Sequence, residues 1–149
     1  MTDRAQIMVH ATAVSSAPPE TVWRLLADAR GWKSWTRFTH SDLEREGDPP
    51  PDGVGAIRKF GTKRQQSREE VVHFEPSRQL SYTLLAGLPI DDYRADVVLT
   101  PEGSGTRIDW SGRFDARRRG TGWFWKAFLT LALRDFSKRL ARAAPTPVH

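Results

Sequence analysis

The segment from Thr121 to Ala143 constrains this chain more than any other, because it reads as one long helix loaded with large apolar side chains. Trp123, Phe124, Trp125, Phe128, Leu129, Leu131, Leu133, Phe136 and Leu140 all fall within it. Phe128, Leu131, Ala132 and Phe136 recur at the three- and four-residue spacing of one helix face, while Lys126, Arg134, Lys138, Arg139 and Arg142 lie mainly to the other side. The first three turns, however, are apolar nearly all round. Such a helix, arriving after a run of strands, must lie across a sheet, with either packed core or a ligand cavity between them.

The strands that precede it are legible from period and punctuation. Ile7, Val9, Ala11 and Ala13 alternate with Met8, His10, Thr12 and Val14, the period of a first strand. In the segment that follows, Pro18 is pushed out of the helical region by Pro19, which can then open a helix with Glu20 in its first turn and Val22, Leu25 and Leu26 as its buried stripe. Gly31 interrupts that helix, and Trp32, Trp35 and Phe38 predict a short second helix or turn anchored by aromatic burial. From Ser41 to Phe114 the chain breaks into short strands near 43–46, 56–60, 68–74, 79–85, 93–100 and 106–114, separated by glycine- and proline-bearing turns. Residues 144–149 read as a frayed tail.

Length and composition bound the rest. A chain of 149 residues with 38% hydrophobic and 28% charged residues suits one globular domain spanning residues 1–149. The absence of cysteine removes disulfides, thiolate metal sites and a cysteine nucleophile. No continuous apolar run marks a signal peptide or a membrane span, so the expectation is a cytoplasmic protein. The net charge of +5 comes from eighteen arginines and five lysines, scattered except for Arg117, Arg118 and Arg119. No nucleic-acid-binding signature accompanies them, and nucleic acid is not an expected partner. His10, His40, His73 and His149 are too dispersed to hold a metal. Serine-nucleophile motifs, phosphate loops and dinucleotide fingerprints are missing, and no cofactor is implied.

The order strand, two short helices, about six more antiparallel strands and a long terminal helix is an α+β layout in which a curved sheet wraps the last helix. With APPETVWRLLAD, DGVGAIR, REEVVHFEPSRQLSYTL, LPIDDYRADVVLTP and GSGTRIDWSGRF in this sequence order, the chain resembles the polyketide cyclase/dehydrase branch of the START-like helix-grip (SRPBCC) superfamily. The resemblance covers nearly the whole chain. It implies a sheet of about seven strands gripping the helix, with a cavity for a hydrophobic or amphipathic small molecule such as a lipid, polyketide or aromatic metabolite. It does not identify a reaction, because this scaffold hosts carriers and enzymes alike.

Period two then assigns the inner faces. Val71, Leu84, Ala95, Val97 and Trp110 from the strands, with Phe128, Leu129, Ala132 and Phe136 from the helix, are the expected ligand-binding residues. Glu69, Tyr82 and Tyr93 share those faces and are the candidates for chemistry: a buried carboxylate as general acid or base, with a tyrosine polarising a carbonyl, as cyclisation or dehydration would use. The plainer alternative pairs Glu69 with Arg58, Arg68 or Arg94. Asp91 and Asp92 read as turn residues. One further alternative starts from Arg117, Arg118 and Arg119 beside Trp123, Phe124 and Trp125. If those rings are buried the arginines are a solvated loop, and if they are exposed the cluster suits transient contact with an anionic membrane, as in a lipid or quinone chaperone.

Overall fold

Alternation along Ile7–Ser15 becomes strand β1, with Val9 and Ala11 buried and Met8, His10 and Thr12 turned outward. The computed structural model of the chain describes residues 6–145. Pro18 is extended (φ −69°, ψ 160°), and Pro19 opens helix α1, Pro19–Ala27, as consecutive prolines dictate. The buried residues of α1 are Val22, Trp23 and Leu26. Leu25 is only partly covered; Trp23 takes the third buried place, packing edge-on against Phe74 at 5.0 Å. A 3-10 helix, Ala29–Ser34, follows directly and buries Trp32, whose Nε1 donates to the Leu26 carbonyl at 2.9 Å.

The remaining strands are β2 (His40–Arg45), β3 (Ile57–Gly61), β4 (Gln66–Glu75), β5 (Gln79–Ala86), β6 (Ile90–Glu102) and β7 (Gly105–Ala116). They form one antiparallel sheet in the order β1-β7-β6-β5-β4-β3-β2. Because β1 pairs with β7 while β2 lies at the opposite edge, α1 and the 3-10 helix must carry the chain across the whole sheet. That crossing brings Trp32 onto β3, where it stacks on Phe60 at 4.4 Å.

One sequence reading needs correction here. The LPIDDY stretch is not a free connection: β6 already begins at Ile90, and Asp91 pairs with Asp115. The register shifts between Asp91 and Arg94, and Asp92 takes a φ of 53°, so these aspartates belong to a bulge within the strand.

Helix α2, Gly122–Ala143, lies across the sheet and buries Leu129, Leu133, Ser137 and Leu140. Its carboxy-terminal half is sealed down. Ser15 Oγ donates to the Ala141 carbonyl at 2.9 Å, and Phe136 packs against Trp110 (5.4 Å) and Trp32 (6.1 Å). Its amino-terminal half lacks such a filling, and Trp123, Phe124, Phe128 and Leu131 are exposed. The stability of the grip therefore resides in the second half of the helix. Leu140→Ala is expected to destabilise the protein by about 3 kcal/mol, as a void in a closed core does, whereas Leu131→Ala should change stability by no more than about 0.5 kcal/mol. Equilibrium unfolding in urea measures both.

Candidate functional site

The space between the first half of α2 and the concave sheet is a cleft of about 460 Å³. Phe60, Tyr82, Tyr93, Leu129 and Leu133 are its buried members; Arg37, Thr62, Gln65 and Phe128 are its exposed ones and so mark its mouth. The mouth thus lies among the segment after the 3-10 helix, the β3–β4 turn and α2, with the half-buried β5–β6 turn also lining the cleft. Two glycines shape it. Gly61 has a φ of 149°, and a Cβ there would sit 2.2 Å from the Gln65 carbonyl oxygen. Gly87 has a φ of 122°, and a Cβ would meet Ser67 Cα at 2.6 Å. Both turns press against backbone where a side chain has no room.

Of the residues expected to line a cavity, Leu84, Phe128, Leu129, Ala132 and Phe136 do so, with Phe128 at the rim rather than in the interior. Val71, Ala95, Val97 and Trp110 do not. They face inward and are fully buried, but lie in the filled part of the core, where Trp110 packs between Trp32 and Phe136. Sequence reasoning missed Phe38, Phe60 and Leu88 as lining residues. Phe38, expected as an aromatic anchor, stacks on Phe60 at 5.5 Å and so forms a wall of the cleft.

All three chemically capable candidates, Glu69, Tyr82 and Tyr93, line the cleft. Glu69 on β4 stands opposite Arg58 on β3 and accepts a hydrogen bond from Arg58 Nη2 at 2.8 Å. Of the three arginines weighed for it, Arg58 is the partner. Arg68 instead pairs with Glu44 at 2.6 Å and Arg94 with Asp96 at 3.2 Å. The Arg58 side chain is 1% exposed and its guanidinium lies 4.7 Å from the Trp32 ring centre, 4.9 Å from Phe60 and 4.8 Å from Tyr82. These aromatic faces replace much of the lost hydration of a planar cation. Arg58 Nε and Nη1 have no hydrogen-bond partner among the described residues.

Tyr82, on β5, accepts a hydrogen bond from Trp110 Nε1 at 3.2 Å, and the neighbouring Tyr93 hydroxyl is an acceptor for its own proton. Tyr93, on β6, stands beside it with ring centres 6.5 Å apart. Burial pushes the Tyr82 hydroxyl well above the usual phenol range, and Tyr93 is raised by burial and then by the charge of Glu69. Both hydroxyls therefore stay protonated as donors. Glu69 is also raised by burial, with the nearby Arg58 charge and hydrogen bond acting the other way. The cleft accordingly has apolar walls and, deep within it, an acceptor carboxylate beside two phenol donors. Among the described residues, no three His, Asp or Glu side chains converge as a metal site would need.

A seven-stranded antiparallel sheet gripping a long terminal helix, with a cleft between them, defines a helix-grip protein of the START-like class. The chain belongs to the polyketide cyclase / dehydrase and lipid transport family, whose sequence profile matches residues 6–145. It is similar in structure to XoxI from Bacillus cereus, at 17% identity over 92% of this chain and 94% of that one, with a TM-score of 0.76. A START superfamily protein from Mycobacterium smegmatis matches at 14% identity over 92% and 96% of the two chains, TM-score 0.78. A point mutant of norcoclaurine synthase from Thalictrum flavum, in complex with a transition state analogue, matches at 14% identity over 97% of each chain, TM-score 0.75. At these identities the likeness shows the fold and leaves the chemistry to the site. No individually curated protein matches the chain in sequence.

The pair at the cleft has a signed pH dependence. Glu69 binds its proton more tightly in the folded protein than at the ordinary value of 4.5, so the folded state retains a proton that the unfolded chain has already released. Its contribution to stability is complete below that ordinary value and is lost as pH rises through the elevated one. Arg58→Met removes the groups that oppose the shift, so the decline should extend to higher pH, and Glu69→Gln should abolish it. Urea unfolding across pH, with the Glu69 carboxyl followed by carbon NMR, reads both effects.

Proposed function

We propose that the protein binds a hydrophobic or amphipathic small molecule in the cleft beneath the first half of α2, as a carrier or sequestering protein. The observation that carries this reading is the cleft itself. Its volume of about 460 Å³ falls in the range of small-molecule sites, its walls include four phenylalanines and four leucines, and its hydrogen-bonding groups include Glu69, Tyr82 and Tyr93 at depth. Such an arrangement takes up an apolar body and orients one polar end, a carbonyl or hydroxyl, toward the tyrosines and the carboxylate.

A second reading, a cofactor-independent cyclase or dehydratase, is favoured by one specific observation: the carboxylate and the two phenols line the same cleft. With a carbonyl compound bound, Glu69 would remove a proton beside the carbonyl while a tyrosine hydroxyl donates to the carbonyl oxygen.

Native mass spectrometry of the purified protein, followed by solvent extraction, should reveal a retained small molecule. Anilinonaphthalene sulfonate should bind and be displaced by that molecule. Ala132→Trp fills the cleft from the helix side and is expected to weaken probe binding at least about tenfold, a loss of about 1.4 kcal/mol. Unchanged binding in that variant would place the ligand elsewhere. Against a candidate carbonyl substrate, Glu69→Gln separates the two readings, since loss of kcat with binding retained supports chemistry and loss of binding alone supports a carrier.

A further inference from the structure

The first half of α2 carries an apolar face that the fold does not use. Trp123 is 74% exposed, Phe124 49%, Phe128 46% and Leu131 64%, while Trp125, Leu129 and Leu133 turn toward the sheet. Phe124, Phe128 and Leu131 follow one another at four and three residues, so the exposed residues form a continuous stripe and not a scatter. This corrects the simpler sequence reading, in which all these rings are core. A contiguous exposed stripe of this kind marks an interaction surface.

Its charge surroundings indicate what it meets. Residues 116–134 include Arg117, Arg118, Arg119, Lys126 and Arg134 and no aspartate or glutamate. Arg117 is engaged, since its Nε donates to Asp91 at 3.0 Å and its Nη2 to the Ile90 carbonyl at 3.2 Å. Arg118 and Arg119 have no side-chain partner among the described residues and are exposed. Trp123 and Phe124 stand exposed at the helix start, where with Trp125, Arg117 and Arg118 they line a concavity of about 590 Å³, and Phe128 continues into the mouth of the cleft. An exposed tryptophan and phenylalanines beside solvent-facing cations are complementary to the interface of an anionic bilayer, where rings enter the headgroup region and arginines meet phosphates.

We propose that the stripe Trp123, Phe124, Phe128 and Leu131, with Arg118 and Arg119, seats the protein on an anionic phospholipid surface with the mouth of the cleft turned toward the bilayer. The inference rests on the carrier reading for its purpose, because an apolar cargo leaving past Phe128 would then pass into lipid without crossing water. The docking itself is independent of cargo and is tested without it.

The test is sedimentation with vesicles of phosphatidylcholine alone and with about a third phosphatidylglycerol, at low salt and at about 0.5 M salt. The parent should bind the anionic vesicles at low salt, release at high salt, and show a blue shift of tryptophan emission from Trp123. Arg118→Glu/Arg119→Glu should weaken binding at least about 25-fold, about five-fold for each arginine removed from an anionic surface. Trp123→Ser/Phe124→Ser should bind weakly and lose the blue shift. Both pairs are exposed, and circular dichroism and probe binding in the cleft should be those of the parent.

Ala132→Trp, with its cleft filled, should still bind vesicles. Vesicle binding by a parent that takes no apolar probe would sink the carrier reading and leave the surface standing; probe binding without vesicle binding at low salt would sink the surface alone. Equal vesicle binding by both surface variants would overturn the proposal. So would analytical ultracentrifugation showing a stable dimer that Trp123→Ser/Phe124→Ser dissolves, since the stripe would then be covered by a second copy.

Discussion

A guanidinium with no access to water must be hydrogen-bonded and stacked, and Arg58 meets that demand in a way that organises everything around it. Glu69 supplies the acceptor from β4, Trp32 and Phe60 supply faces from the 3-10 helix and β3, and Tyr82 supplies one from β5. Three elements distant in sequence thus converge on a cation that β3 carries. Removing any of them exposes a cost of desolvation that the others cannot absorb. The same convergence fixes the orientation of Glu69 and Tyr82 at the cleft, so that the polar part of the site is set by a structural demand as well as by any ligand.

From that point the interior divides in two. On one side Trp32, Trp110 and Phe136 interlock, with ring centres 5.4 to 6.1 Å apart, and no room is left between sheet and helix. On the other side Phe38 stacks on Phe60 and meets Phe136 at 5.6 Å, and the cleft opens beside them. The boundary runs through Phe136, which touches the aromatic cluster and also lines the cleft. A close-packed core and a cavity therefore coexist under one helix because Trp32 and Trp110, from the 3-10 helix and β7, pack beneath only one part of it, around Phe136.

This division explains which features were legible in the sequence. Alternation placed the strands and proline chemistry placed α1, because both are local properties of the backbone. Period two also identified the inner faces correctly, and Glu69 with Arg58 was among the pairings that strand order allowed. What alternation cannot encode is the distance between two layers. Val71, Ala95, Val97 and Trp110 point inward as expected and are nonetheless sealed, while Phe60 and Leu88 reach the cleft because of the turns beside them. Glu69 illustrates the same limit in electrostatics: its residue type suggested either catalysis or an ion pair, and the structure shows the ion pair with Arg58 while leaving the same carboxyl group on the wall of the cleft. The LPIDDY bulge was hidden for another reason, since aspartates that favour turns also favour the left-handed residue of a bulge.

The apolar character of α2 on nearly all sides follows from the two environments it serves. A helix that only gripped a sheet would need one stripe, and the second half of α2 has that pattern, with Lys138 and Arg142 outward and Leu133, Ser137 and Leu140 inward. The first half must supply Leu129 and Leu133 to the cleft, yet its outward face carries Trp123, Phe124 and Leu131 where charge would be easiest to accommodate. Folding alone gives no reason to keep those rings, because exposed tryptophan and phenylalanine add little to stability and promote association. Phe128 joins the two faces, lying half exposed at the rim of the cleft and in line with the outer stripe. The outer face and the inner one are thus parts of a single surface that begins on the outside of the protein and continues into its interior, and a ligand entering past Phe128 would follow it without a break in apolar contact.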